Sequence, residues 1–562
     1  MPNKILNKIQ KILKLDEITK IEKQLKGISV NVEKYIEEQK INSHTRILWG
    51  PSFNFENYSV IHNVILYNSL KLRGAEIIPL SCSGIQYNEC TVWGGDFAEY
   101  GTSNYIKRRQ KVCKFCQKQD EKIFRDICGD KLIYLTEFIT KDERNEIISK
   151  VSKIKNKDIF DYKYDEISFG GLVKDKTLNL YLSGTLDDLR YKYESGRNHL
   201  ISALILHKVY GRVLEKIKID RVITSGGDYY QYILLRILAN RLNISTYHYN
   251  YAGRAGTWTY ALNEASNNMN FKSAWKEYQK RELTQKQNEK LNSYLKFRSD
   301  GANTDVLSYV NDTKLKFSEL NEIWANYDNS KPLVLLAANM VWDAAALNKE
   351  IFFSDMFDWT INTMKYFMEN KQWQLIVKPH PAESHSKIRK TKQTLLGEIE
   401  KANLKITDNI LILDSDTKIS PYDLYQFCDL GLIYTSTVGI ELAMLGKPVI
   451  VTGKTSYRNA GFTFDPKNKS EYYLFIEKTL NQSLLIDKKF NIDLSRKYFY
   501  FYHFHYLIDL GIATYRWGDK VELNIESFEE ILPGANKYLD YVCDSIIKDL
   551  PIISETRWPP ES

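Results

Sequence analysis

From Thr45 onward, short apolar runs alternate with longer stretches in which apolar residues recur at helical spacing. TRILWGP reads as a strand ended by Gly50-Pro51, VIHNVILYNSLKLRG as a helix closed at Gly74, and AEIIPLSCSG as the next strand. The pattern returns in IDRVITSGGDYY, a strand running into a Gly-rich turn, then in the helix YQYILLRILANRLN and the strand ISTYHYNYAG. It restarts at the strand KPLVLLAANM, followed by the helix MFDWTINTMKYFMENK and the strand WQLIVKPHP. The strands NILILDSD, LGLIYTS and KPVIVTG, with the helices SPYDLYQFCD and TVGIELAMLG between them, complete it. Alternation of this kind predicts parallel, doubly wound α/β domains.

The expected organisation is a helical segment over 1–40 and a first Rossmann-like, acceptor-binding domain over 41–270 with a Cys-bearing insertion. A polar helical connection over 271–330 leads to a second Rossmann-like, donor-binding domain over 331–475, and a helical, aromatic-rich crossover over 476–562 ends the chain. The fold class is therefore α/β, with two doubly wound domains facing a cleft that suits a reaction between two substrates.

The N-terminus sets Ile5, Leu6, Ile9, Ile12 and Leu13 at helical spacing, with Lys4, Lys8, Lys11 and Lys14 between them. Such a helix either docks on protein or lies on a membrane surface, its lysines meeting anionic headgroups. No run is long and apolar enough to span a bilayer, and no secretory h-region is present. The expected location is cytoplasmic, at most peripheral on the inner face of the cell membrane.

A formal charge of +8, from 78 basic and 70 acidic residues in 562, is a mild excess. It suits phosphate-bearing ligands. Without a basic stripe interleaved with aromatics, nucleic acid is not an expected partner. Five of the seven cysteines fall between positions 82 and 128. Cys113 and Cys116 form a CxxC, the spacing at which two thiolates reach one zinc ion; free thiols and a redox pair are the other readings.

Two segments carry candidate chemistry. In YTSTVGIELAMLG, a strand delivers Thr435, Ser436 and Thr437 to the start of a helix, where hydroxyls and amides can hold a phosphate. Gly439 would let a ligand approach the backbone. The same residues also make a plain helix cap. In VKPHPAES, Lys378 precedes His380, which two prolines fix at a strand end, aimed to neutralise a leaving phosphate. LDSDTK (413–418) matches DxD formally but reads as a loop.

VKPHPAES, SPYDLYQFCDLGLIYTSTVGIELAMLGKPVIVTG and YRNAGFTF together resemble bacterial capsule polysaccharide biosynthesis proteins, GT-B enzymes that include Kdo transferases and are related in motif to bacterial sialyltransferases. The resemblance covers 330 to 470 well and the first domain loosely. It implies a glycosyltransferase using a nucleotide-sugar donor, CMP-Kdo or a nonulosonate first, and a glycan or lipid-linked acceptor. No cofactor or catalytic metal is implied. His380 would contact the donor phosphate, Ser436 and Thr437 the phosphate or nucleotide, and Glu441 the ribose, unless Glu441 is a solvated helix carboxylate. Likeness to the sialyltransferases makes Asp228, in SGGDYY, the candidate base; Asp187 or Asp188 competes, and a helix cap is the other role for Asp228. Arg254, in YAGRAGTW, would bind an anionic acceptor or donor carboxylate. The alternatives are a nucleotide-sugar epimerase, a polyol-phosphate polymerase, or a non-catalytic scaffold in a polysaccharide assembly complex.

Overall fold

In the computed structural model, five parallel strands form the body of the first sheet: β1 (Thr45–Trp49), β2 (Ala75–Ser81), β3 (Ile133–Tyr134), β4 (Arg221–Ser225) and β5 (Ser245–Tyr251). Their spatial order, β3-β2-β1-β4-β5, reverses direction between β1 and β4. β6 (Thr257–Leu262) adds antiparallel to β5. The loop 252–256 between them is too short for the crossover that a parallel neighbour needs. The C-terminal strand Ile508–Asp509 pairs antiparallel with β6.

The structure describes residues 2–562 except 52–56, 87, 91–112, 300–319, 344–345, 385–389, 418, 420, 484–486 and 515–520, and for 2–19, 57, 299 and 421 only the backbone. The chain divides into two units: 1–176, 191–268 and 504–562 make the first, 177–190 and 269–503 the second.

In the first unit, the helix Pro2–Gln39 buries Leu25, Ile28 and Val32, and Ser29 Oγ accepts from Asn68 Nδ2 at 2.9 Å on the helix Asn57–Lys71. The side chains of Ile5, Leu6, Ile9, Ile12 and Leu13 lie outside the described ones. The C-terminal helix Lys537–Ile547 is joined to the same helical layer through Asp540, which accepts from Arg73 at 2.6 Å. Among the described residues, no helix is long and apolar enough to cross a membrane.

The second sheet is wholly parallel: β7 (Leu333–Ala337), β8 (Gln374–Lys378), β9 (Ile410–Ile412), β10 (Leu430–Ile433) and β11 (Val449–Val451), in the order β9-β8-β7-β10-β11. β7, β8 and β10 are buried throughout, which explains their unbroken apolar runs. The helix Met356–Glu369 covers the sheet with Phe357, Trp359, Thr360, Thr363, Met364 and Phe367, and Asp355 caps it by accepting from the Asp358 amide at 2.8 Å.

Two stretches depart from the expected division. Residues 269–299, read as a connection, pack within the second unit: Trp275 Nε1 donates to Ala460 O at 3.1 Å, and Lys497 Nζ donates to Glu282 at 2.7 Å. The segment is polar on average, yet Phe271, Trp275, Tyr278, Leu291 and Tyr294 are buried at helical spacing. Residues 177–190 also belong to this unit, fixed by Gln393, whose Oε1 accepts from the Gly184 and Thr185 amides at 2.9 Å.

Candidate functional site

In an open α/β sheet, ligands bind beyond the carboxyl ends of the strands where the strand order reverses. In the second sheet that point lies between β7 and β10. The register sets Lys378 beside Ala337, and Ala337 beside Ile433, so three strands end level. Past those ends stand Asn339 on the β7 side, Lys378 and His380 on the β8 side, and Thr435, Ser436 and Thr437 on the β10 side. β8 and β10 are two strand spacings apart, about 10 Å.

His380 opens a single 3₁₀ turn, Pro381–Glu383, and its Nδ1 accepts from the Ala382 amide at 3.1 Å. That bond puts the neutral ring's proton on Nε2. Burial, reinforced by the Lys378 ammonium, pushes the imidazole down to about 4. The ring is therefore neutral at pH 7 and acts as a hydrogen-bond donor; the cation of this site is Lys378. Only 5% exposed, Lys378 is brought down to about 8 by burial, while Glu383, Asp416 and Asp414 hold its charge. The LDSD loop thus serves this site as a source of negative potential near Lys378.

Glu383, absent from the expected set, is 1% exposed and pushed up to about 7 by burial, against the opposing pull of the Leu395 amide and Lys378. Glu383 ends the histidine turn, where its charge and that of Lys378 act on each other. The spacing of Lys378, His380 and Glu383 in KPHPAE was visible, but nothing in the residues distinguished this glutamate from a surface one.

The three hydroxyl residues behave differently. Thr435 is turned inward: its amide donates to Asn339 Oδ1 at 3.1 Å, its Oγ1 is buried, and its methyl group lies against Gly453. Ser436 Oγ accepts from the Val438 amide at 3.3 Å, so Ser436 supplies the side-chain bond at the start of the helix Val438–Met444. Thr437 is exposed. Gly439 is required for another reason than ligand approach, since a Cβ there would come within 2.5 Å of Tyr457 Oη, whose hydroxyl donates to Ser436 O. Glu441 is not a solvated helix carboxylate: it is buried, and its Oε1 accepts from Arg298 at 2.7 Å.

The first sheet reverses between β1 and β4, and Asp228 follows β4 there after Gly226 (φ +72°) and Gly227 (φ +107°). The adjacent helix starts from Tyr229, so Asp228 is not its cap. Its Oδ2 accepts from Asn267 Nδ2 at 2.7 Å. Beneath the turn lies His248, its Nδ1 at 2.7 Å from Thr224 Oγ1 and its ring pushed down to about 3 by burial. Asp187 and Asp188 belong to the second unit, and Asp188 pairs with Lys401 at 2.5 Å. They do not compete for a base in the first unit. Arg254 donates to Ser562 Oγ at 2.5 Å and to Leu507 O at 3.3 Å, and its guanidinium lies over the Phe504 ring. It ties down the C-terminal segment, a role that the loop sequence did not reveal. Cys113 and Cys116 are reduced and half-buried on a helical turn.

No curated protein matches the chain. Among solved structures, two of Thermosulfurimonas dismutans KpsC are similar. The beta Kdo 2,4 transferase is 13% identical, with 56% of this chain and 87% of that one covered at a TM-score of 0.31; the beta Kdo 2,7 transferase is 14% identical, with 50% and 78% covered at 0.27. UDP-GlcNAc 2-epimerase from Neisseria meningitidis, bound to UDP-GlcNAc, is 11% identical over 81% of this chain and 98% of that one, at 0.23. Similarities of that strength assign no activity. The model of the capsule polysaccharide biosynthesis protein family matches residues 260–487, which hold all five strands of the second sheet and the lysine–histidine turn. Over residues 260–487, about two fifths of its length, this chain is thus similar to the capsule polysaccharide biosynthesis protein family.

Proposed function

We propose that the chain is a glycosyltransferase moving a sugar from a nucleotide-activated donor onto a cell-surface polysaccharide or lipid-linked acceptor, with CMP-activated Kdo or another nonulosonate as the favoured donor. One observation carries the reading: Lys378, His380, Ser436 and Thr437 stand at level strand ends around the switch point of the family-matched sheet. In the reaction, the bond between the anomeric carbon and the donor phosphate oxygen breaks. The acceptor hydroxyl oxygen bonds to that carbon, and negative charge collects on the leaving phosphate.

Lys378 opposes that charge with an ammonium held in a nearly dry setting, where it counts for more than in water. His380 donates from Nε2, and the hydroxyls of Ser436 and Thr437 add neutral donors. An arriving phosphate raises the proton affinity of both Lys378 and His380, so binding secures the lysine's charge. The acceptor's proton passes to a base, for which Asp228 is the candidate. No step requires a metal ion.

A thermal-unfolding screen against CMP, CDP, UDP, GDP and their sugar conjugates tests the donor site. Saturation at about a hundred times Kd adds about 2.7 kcal/mol to stability. The expected result is a raised midpoint with one base, lost in His380→Ala. A well-folded protein that answers to none of these ligands would overturn the reading in favour of a scaffold. Conversion of the donor sugar without any acceptor would instead identify an epimerase.

A further inference from the structure

Asp228 sits on a turn that its own residues do little to hold, since two glycines precede it and glycine restrains the backbone least. The restraint comes from a 3₁₀ turn, Ser266–Asn268, that follows β6. Buried Ser266 donates twice to Gly226 O, from its hydroxyl at 2.8 Å and its amide at 3.2 Å. A Cβ on Gly227 would stand 2.9 Å from Ala265 Cα, so the two turns press directly on each other. Gly226 N also donates to Tyr249 O at 2.6 Å, and Arg236 Nη1 to Gly227 O at 3.1 Å. The 3₁₀ turn is itself tied to the C-terminal segment by Tyr506, whose hydroxyl donates to Ser266 O at 3.0 Å.

Side chains add a finer restraint. Asn250, near the end of β5, accepts from the Tyr251 amide through Oδ1 at 3.1 Å, and its Nδ2 donates to Asn267 Oδ1 at 3.2 Å. With its oxygen engaged, Asn267 turns its nitrogen to Asp228, and Nδ2 donates to Oδ2 at 2.7 Å. Each amide thus decides which end of the next faces forward. Reversed, Asn267 would set a carbonyl oxygen against a carboxylate. Asn250, Asn267 and Asp228 are all half-buried, and a hydrogen bond to a charged group is about twice as strong as one between neutral groups. Arg236 and Tyr232 on the following helix, Glu264 ahead of the 3₁₀ turn and His248 beneath Gly227 are the other titratable groups at this place.

We propose that Asn267 and Asn250 are positioning residues for sugar transfer, an amide relay that fixes the plane in which the Asp228 carboxylate meets the acceptor proton. The inference rests on the reading of Asp228 as the base. Neither asparagine needs to touch the substrate: Asn267 acts through Asp228, and Asn250 acts through Asn267. A donor held on a carboxylate also favours its charged, proton-accepting form.

The test uses full-length protein and two readouts. The first is CMP release from CMP-Kdo, with water as the acceptor hydroxyl and spontaneous hydrolysis subtracted. Asn267→Ala should lower kcat by about tenfold to a hundredfold, and Asn250→Ala by about threefold to tenfold, with KM unchanged in both. Asn267→Asp is isosteric and sets a second carboxylate against the first. Like charges oppose each other's ionisation, so the acid limb of its kcat profile should move up by at least about one pH unit.

The second readout, the urea midpoint, needs no activity. Asn267→Asp should lose stability relative to wild type as pH rises from about 4 to 8, because the cost of a charged pair is absent while a proton is shared and complete once both groups ionise. The exchange Asp228→Asn/Asn267→Asp faces amide to carboxylate again and should recover the midpoint. Should Asn267→Ala fail to fold, the isosteric variant and the exchange decide. No loss in Asn267→Asp, or no recovery in the exchange, would overturn the contact itself. Wild-type kcat in Asn267→Ala and an unmoved profile in Asn267→Asp, with Asp228→Asn inactive, would overturn the positioning role and leave the base in place. Undiminished turnover in Asp228→Asn, or no CMP release by wild type, would remove the base reading and the relay's role with it.

Discussion

The two sheets bring opposite chemistry to the same topological position. Where the first sheet reverses, between β1 and β4, a double-glycine turn carries a carboxylate, Asp228, which accepts from the Asn267 side-chain amide. Where the second reverses, between β7 and β10, the strand ends carry a buried ammonium and a neutral imidazole, supported by Glu383, Asp414 and Asp416. A half-exposed carboxylate can take a proton from a hydroxyl; a desolvated cation beside a fixed N–H donor can hold a phosphate. One strand order thus carries two different sets of groups, and which set each unit presents depends on a few residues just past the strand ends.

The largest effect that could break this comparison is in turnover. Asp228→Asn keeps the Asn267 contact within reach but removes the base, so the rate should fall by about 10²–10⁴ with nucleotide affinity unchanged. Steady-state kinetics alongside nucleotide binding separates the two. An unaltered rate would take the base role from Asp228.

Next is the cation. Lys378→Ala should weaken nucleotide binding by about tenfold to a hundredfold, the worth of a hydrogen bond to a charged group. The pH profile sharpens this. With Lys378 near 8 and His380 near 4, wild-type affinity should be level between about pH 5.5 and 7.5 and decline as the lysine loses its proton above 8. The variant should lack that decline; calorimetric titration across pH reads both.

Glu383 gives a pH-dependent stability effect. Its raised value means that burying the charged form costs stability; the cost is absent below the ordinary carboxylate value and complete above about 7. Glu383→Gln removes the ionisation. Relative to wild type, the variant should gain up to about 3 kcal/mol between pH 5 and pH 8 in urea melts. A pH-independent difference would refute the buried-charge account.

Gly439→Ala should cost about 1–3 kcal/mol through the clash with Tyr457, and Tyr457→Phe should return part of it. The smallest effect belongs to the first unit. Arg254→Ala should lower stability by about 1 kcal/mol and leave nucleotide binding unchanged, because the guanidinium serves the C-terminal segment.

Local pattern made some of this legible and contact in space made the rest. The strands of the second sheet could be read because fully buried parallel strands require unbroken apolar runs, and LVLLA and QLIVK have them. Lys378 and His380 could be read because a Pro-bracketed histidine at a strand end is a local signal. Glu441 and Arg254 have partners that the local sequence did not show. Each is a charged side chain in a plausible place, and each is satisfied by a partner far along the chain, Arg298 in one case and Ser562 in the other. The segment 269–299 misled because its average polarity hid buried apolar residues at helical spacing.

By itself, then, the sequence determined the alternation of strands and helices, the doubly wound class and the histidine turn of the second sheet, since these follow from periodicity and neighbouring residues. Only the tertiary structure decided that Glu383 is buried beside Lys378, that Thr435 faces inward while Ser436 supplies the bond at the helix start, and that 177–190 belong with the second unit. Burial and charge pairing depend on residues distant in the chain, and desolvation, which sets proton affinities at this site, exists only once those residues have closed around it.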